Sequence, residues 1–126
     1  MLIGVDVVEN DRFARAMERR PRLVERLFTA GEREYCRSKA DPPKHFAARF
    51  AAKEAVGKAL GTGVRSWQNI EITAGGMPEV AVSGIMGEAA ASIGAGRMSV
   101  SLSHCGSVSV AVAAAVCSGK KDAPGG

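Results

Sequence analysis

The chain has 126 residues, 46% hydrophobic and 24% charged, with a net charge of +4. That length suits one compact domain with a real core. No window approaches the 18 or so uninterrupted apolar residues of a membrane span, and no charged-apolar-small signal segment opens the sequence, so the expectation excludes membrane and secreted classes.

Residues 2–8, LIGVDVV, read as a strand. Ile3, Val5 and Val7 share one face; Leu2, Gly4, Asp6 and Val8 share the other. Asn10 reads as the N-cap of a helix with Phe13, Ala16 and Met17 on its apolar side. Pro21 stops it, and a short helix is expected over 23–28. Thr29-x-x-Glu32 matches a capping box, which predicts a helix to about residue 39. Asp41-Pro42-Pro43 reads as a linker. A long alanine-rich helix is expected over 44–60, stopped at Gly61-Thr62-Gly63. Residues 69–74 and 79–83 read as a hairpin turning at Gly75-Gly76. A helix over 84–93 follows, then strands over 98–104 and 108–116. Residues 1–117 are expected to form the domain and 118–126 a loose tail. The fold class is α+β: a largely antiparallel sheet packed with one long helix and shorter helices. Aromatics are only 5%, so a core of Val, Ile, Leu and Ala is expected. Cys36, Cys105 and Cys117 are an odd number without metal-ligand spacing, which reads as free thiols in a cytoplasmic protein.

Charge is unevenly spread. Residues 12–39 hold nine bases against four acids, a local +5, whereas 66–119 hold one base, Arg97. Arg12, Arg15, Arg19, Arg22 and Arg26 form a row of three- and four-residue steps. They read as a solvated face or as a dock for an acidic partner. No nucleic-acid motif or aromatic interleaving accompanies them.

In the long helix, Glu54 precedes Lys58 by one turn. As a simple pair they stabilise a helix by only about 0.2–0.5 kcal/mol. Phe46, Phe50, Glu54 and Lys58 share one row, which puts Glu54 at the edge of the buried stripe. A carboxylate there needs a cation or hydrogen bonds. Asp6 sits on an otherwise apolar strand. It reads as a surface acid or, with Glu54, as half of a Mg²⁺ site completed by water and substrate phosphate. His104 ends a strand. It reads as a core-edge residue bonded to a carbonyl, or as a phosphate contact or base.

Gly4-x-Asp6 followed by Arg12, Arg49-Phe50-Ala51-Ala52-Lys53-Glu54-Ala55 followed by Lys58 and Gly61, Gly76-x-Pro78, and Ser101-x-Ser103-His104 occur in this order. Over residues 2–116 the chain thereby resembles the short, single-domain 4′-phosphopantetheinyl transferases of the holo-acyl-carrier-protein synthase type. The resemblance implies the 4′-phosphopantetheinyl transferase fold. It also implies transfer of the phosphopantetheine arm of coenzyme A to a serine of apo acyl carrier protein, of fatty-acid or polyketide type. It implies Mg²⁺ on Asp6 and Glu54, and Lys58 on phosphate. Coenzyme A contacts are implied from Arg49, Lys53, Lys58, Gly61, Pro78, Ser103 and His104. Glu54, Lys58 and His104 are the implied catalytic residues. Arg12, Arg15, Arg19 and Arg22 are expected to dock the acidic carrier. A homotrimer with active sites at subunit clefts follows from the same likeness, with neither nucleic acid nor membrane as partner. A non-catalytic basic module that binds an acidic carrier or coenzyme A is the competing expectation. Two residues depart from the family pattern: Met77 stands where a basic residue is usual, and Cys105 follows the histidine.

Overall fold

The first strand, β1 (Leu2–Glu9), runs directly into helix α1 (Asn10–Arg19). Short helices α2 (Leu23–Leu27) and α3 (Ala30–Arg37) lead to the central helix α4 (Pro42–Leu60). A 3₁₀ turn (Trp67–Asn69), strands β2 (Ile70–Ile72) and β3 (Val80–Val82), helix α5 (Gly84–Ser92), and strands β4 (Ala95–Cys105) and β5 (Val108–Cys117) complete the order. These elements come from a computed structural model that describes residues 1–74 and 76–117. The expected tail at 118–126 and the turn residue Gly75 lie outside the described residues.

All strand pairs are antiparallel, in a three-stranded sheet ordered β1-β5-β4 and a two-stranded β2-β3 pair. A single bridge between Glu79 and Ser99 links the two. In β1, Leu2, Gly4, Asp6 and Val8 face inward beneath α4, while Ile3, Val5 and Val7 are exposed. The inner face of β5 carries Ser109, Ala111, Ala113 and Ala115, all buried. Small side chains on both partners let α4 approach closely. Gly4 is the extreme case: a Cβ there would lie 2.0 Å from the Ala55 carbonyl oxygen and 2.6 Å from the Ala59 nitrogen.

Two clusters make the core. The larger holds Ala52, Val56, Ile70, Ile72, Met86 and Met98, in keeping with an aliphatic expectation. The smaller is aromatic: Phe13, Phe28 and Phe46 are buried there, and Phe50 stacks on Trp67 at 5.3 Å. The few aromatics are therefore concentrated rather than absent from the core.

The capping box at Thr29 forms as expected: Glu32 N donates to Thr29 Oγ1 at 3.2 Å and Thr29 N to Glu32 Oε1 at 2.9 Å. Two local expectations are corrected. Pro42 and Pro43 are the first turn of α4, not a linker; proline lacks only an N–H that is unpartnered at a helix start. Asn10 is the first helical residue rather than the N-cap, because its side chain is engaged by Ser109.

Candidate functional site

The contact between β1 and α4 brings three of the expected residues together. Lys58 Nζ donates to Asp6 Oδ1 at 2.9 Å and to the Val5 carbonyl at 3.1 Å, across more than fifty residues of chain. The Lys58 side chain remains 56% exposed while that of Asp6 is 14% exposed, so the ammonium is open to a ligand. Lys58 is thus paired with Asp6, and among the described ion pairs none joins it to Glu54. Glu54 is half-buried beside them. Its pKa is raised, first by burial and then by the Asp6 carboxylate, with Lys58 opposing. Two acids that repel each other next to one exposed cation form a site that lacks positive charge. No third metal-ligating side chain joins them among the described residues. Two carboxylates alone fit a magnesium ion that fills its other positions from water and phosphate.

A cationic group lies toward the other end of α4. Arg49 is only 4% exposed, and its guanidinium carbon sits 4.1 Å from the centre of the Tyr35 ring. Its Nε has no hydrogen-bond partner. His45, one turn before Arg49, lies with its ring 6.1 Å from both Tyr35 and His104. Burial lowers the pKa of His104, and Lys44 and Arg49 lower it further. Burial also lowers the pKa of His45, with His104, Arg49, Lys39 and Lys44 adding to the effect. The charges acting on both rings are therefore cationic, and an anion would relieve them. Arg49 and Glu54 are five residues apart, about 7.5 Å of helix rise. Arg49 and His45 thus lie at one level of α4, and Glu54 and Lys58 at another.

Other expected residues fall elsewhere. Lys53 is the main correction. Its side chain is wholly buried, donating to Glu32 Oε1 at 2.7 Å and to the Leu27 carbonyl at 2.8 Å. Glu32 Oε2 in turn accepts from Ile72 N at 2.7 Å. Burial depresses the Lys53 pKa and Glu32 opposes that shift. The ammonium ties α2, α3, α4 and β2 together and does not face the cleft. Ser103 is exposed on the outer face of β4, opposite Val110, whereas His104 is in the inner-face row with Ser109. The two belong to opposite faces of the sheet. Pro78 is half-buried beside exposed Met77, in the loop before the Glu79–Ser99 bridge. Gly61 has φ +79, and a Cβ there would meet nothing within 4 Å. Glycine is needed there for the left-handed helix stop, and the space beside it is open.

Arg12, Arg15, Arg19 and Arg22 are all exposed, the first three on α1 and the last at the start of α2. Arg12 borders a cleft of about 340 Å³ floored by Val8, Phe13, Ala16 and Phe50. Tyr35, Lys44, His45, Asn10 and Ser109 enter the site's surroundings without having been singled out from the sequence for it. A signal existed for His45, which precedes Arg49 by one turn. None existed for Ser109, whose side-chain partners come from β4 and the start of α1.

Comparison with known proteins gives one consistent picture. The profile described as the 4′-phosphopantetheinyl transferase superfamily matches residues 2–113. A holo-acyl-carrier-protein synthase of Moorella thermoacetica is 47% identical over 114 residues, covering 87% of this chain and 89% of the relative. One from Desulforudis audaxviator is 49% identical over 119 residues, covering 90% and 91%. Among solved structures, the Neisseria meningitidis synthase matches with a TM-score of 0.83 at 31% identity, covering 92% of this chain and 99% of that one. The Helicobacter pylori synthase, solved in complex with coenzyme A, matches with a TM-score of 0.79 at 27% identity, covering 91% and 100%.

Proposed function

This chain belongs to the 4′-phosphopantetheinyl transferase superfamily, and we propose that it is a holo-acyl-carrier-protein synthase that works through Asp6, Glu54 and Lys58. It moves the 4′-phosphopantetheine arm of coenzyme A onto a serine hydroxyl of apo acyl carrier protein. The serine oxygen bonds to the phosphorus that carries the arm. The bond from that phosphorus to the bridging oxygen breaks, and adenosine 3′,5′-bisphosphate leaves. The observation that carries this reading is the Lys58–Asp6 pair beside a half-buried Glu54 whose proton affinity is raised.

Asp6 and Glu54 would hold Mg²⁺, which would supply fixed positive charge against the pyrophosphate. Lys58 meets the phosphate oxygens and stabilises the charge that builds on the leaving group. The serine proton goes to Glu54 or to a water that Glu54 would orient beside the metal; His104 is the alternative acceptor. Arg49 and His104 receive the remaining phosphate of coenzyme A, with Gly61 and Pro78 along its path. Lys53 is not in this set, because Glu32 encloses it. Arg12, Arg15, Arg19 and Arg22 dock the acidic carrier. The assembly is a homotrimer with its sites at subunit clefts, and it acts in the cytoplasm. Exposed Ile3, Val5 and Val7 on one sheet face support the association.

Mass spectrometry tests the function. Apo carrier protein mixed with coenzyme A, Mg²⁺ and this protein is expected to gain one phosphopantetheine mass, and the gain vanishes with EDTA. No gain across fatty-acid and polyketide carriers would overturn the reading.

A further inference from the structure

We propose that Asn10 and Ser109 fix the tautomer of His104, so that the neutral ring carries its proton on Nδ1 and leaves Nε2 as the proton acceptor. Val8, Ser109 and His104 form one lateral row across β1, β5 and β4. Ser109 is fully buried on an inner face otherwise made of alanines, where a hydroxyl is unfavourable unless bonded. It is bonded on both sides. Its Oγ lies 2.6 Å from Asn10 Oδ1 and 3.0 Å from His104 Nδ1. The first separation lies in the range of an O–H···O bond and is short for N–H···O. The Asn10 atom that faces Ser109 is therefore the oxygen, and the hydroxyl is the donor. A hydroxyl has one proton. With that proton directed to Asn10, Ser109 offers His104 only a lone pair, so Nδ1 must donate.

Asn10 is itself held, because its backbone N–H donates to the Ser107 carbonyl at 2.7 Å. The start of α1 is thus pinned to the β4–β5 turn, and the relay is fixed at its far end. Among the described hydrogen bonds none engages Nε2, and His104 is exposed. The groups acting on this ring from α4 are Lys44 and Arg49, with the His45 ring at 6.1 Å. Partial desolvation of the ring and the two cations favour its neutral form. In the free protein Nε2 is then a base facing outward, ready for a hydroxyl proton. It becomes a phosphate donor only once an anion draws a second proton onto the ring. Asn10 and Ser109 are positioning residues in this account. The consequence for catalysis rests on the reading that His104 lies beside coenzyme A; the tautomer does not.

The test is long-range ¹H–¹⁵N NMR on the full chain labelled at its two histidines, above the ring titration, with His104→Gln to assign the signals. Wild type is expected to show His104 protonated at Nδ1 and bare at Nε2. Ser109→Ala and Asn10→Ala each shift the proton toward Nε2, while Asn10→Asp, which keeps the acceptor, retains the wild-type pattern. Far-ultraviolet circular dichroism and a melting transition like those of wild type report that the variants are folded. A neutral wild-type ring protonated at Nε2 would overturn the proposal, as would an unchanged pattern in both alanine variants. Added coenzyme A separates the two claims: a correct tautomer with unmoved His104 signals keeps this inference and removes His104 from the coenzyme A site.

Discussion

Glu54 is an acid whose ionisation its surroundings oppose. Its folded-state pKa is raised by burial and by Asp6, so the folded protein holds this proton more tightly than the unfolded chain does. The sign follows from linkage. Below the ordinary glutamate range both states are protonated, and the shift has no effect. As pH rises from that value through the higher folded value, stability falls and then stays lower. Glu54→Gln removes the penalty. Its metal-free melting temperature is expected to exceed wild type at neutral pH and to equal it well below the glutamate range, by calorimetry at both. The two helix lysines should separate just as clearly. Breaking the wholly buried Lys53–Glu32 pair by Lys53→Met is expected to cost about 3–5 kcal/mol in a denaturant titration. Lys58→Ala loses an exposed pair worth about 0.2–1 kcal/mol, yet should lower kcat about 10²–10³-fold.

At the scale of elements, the site depends on how closely α4 lies on β1. Gly4 sets that distance, and the atoms a Cβ would strike are backbone, which cannot swing aside. Gly4→Ala is expected to destabilise by about 1–3 kcal/mol, read by thermal or denaturant melts. It should also shift Glu54 and Lys58 relative to Asp6, with a loss of kcat of about 10²-fold. Local chemistry in these elements was legible in the sequence. Thr29 and Glu32 announced their capping box, and the strand alternation put Asp6 and Val5 on opposite faces, though not which of the two lies beneath α4. The proline pair was legible too, since proline suits a first helical turn, but it reads equally as a break. What the sequence did not reveal is long-range. Glu32 serves the cap, Lys53 and Ile72 N at once, over separations of 21 and 40 residues. A basic residue one position before Glu54 looks like a phosphate ligand until a distant acid is seen to enclose it. Strand parity alone would have separated Ser103 from His104; the shared motif grouped them.

At the scale of the molecule, β1 and β5 present an apolar outer face. Ile3, Val5 and Val7 are 62%, 49% and 60% exposed, and Val112 and Val116 lie on the same side. The register sets Val5 directly opposite Val112, so the patch is continuous rather than scattered. A continuous apolar face of this kind supports the proposed association. Val5→Lys is expected to convert the proposed trimer to smaller species in sedimentation velocity while the protein stays folded, because the side chain already faces outward. A monomeric wild type would contradict the trimer. The opposing polarity of the molecule has its own legibility. The basic segment at 12–39 was plain in the sequence, and the structure keeps Arg12, Arg15, Arg19 and Arg22 exposed. The meeting of Asp6 with Lys58 and Glu54 was visible only as an ordered set of motifs, because no local rule brings residue 6 to residue 58.

The central claim is that Asp6 and Glu54 share one ion. Electron paramagnetic resonance with Mn²⁺ in place of Mg²⁺, in the presence of coenzyme A, tests it without reference to turnover. Wild type is expected to bind one Mn²⁺ per chain, and Asp6→Asn and Glu54→Gln are each expected to lose it. Wild-type Mn²⁺ affinity in both folded variants would contradict the account.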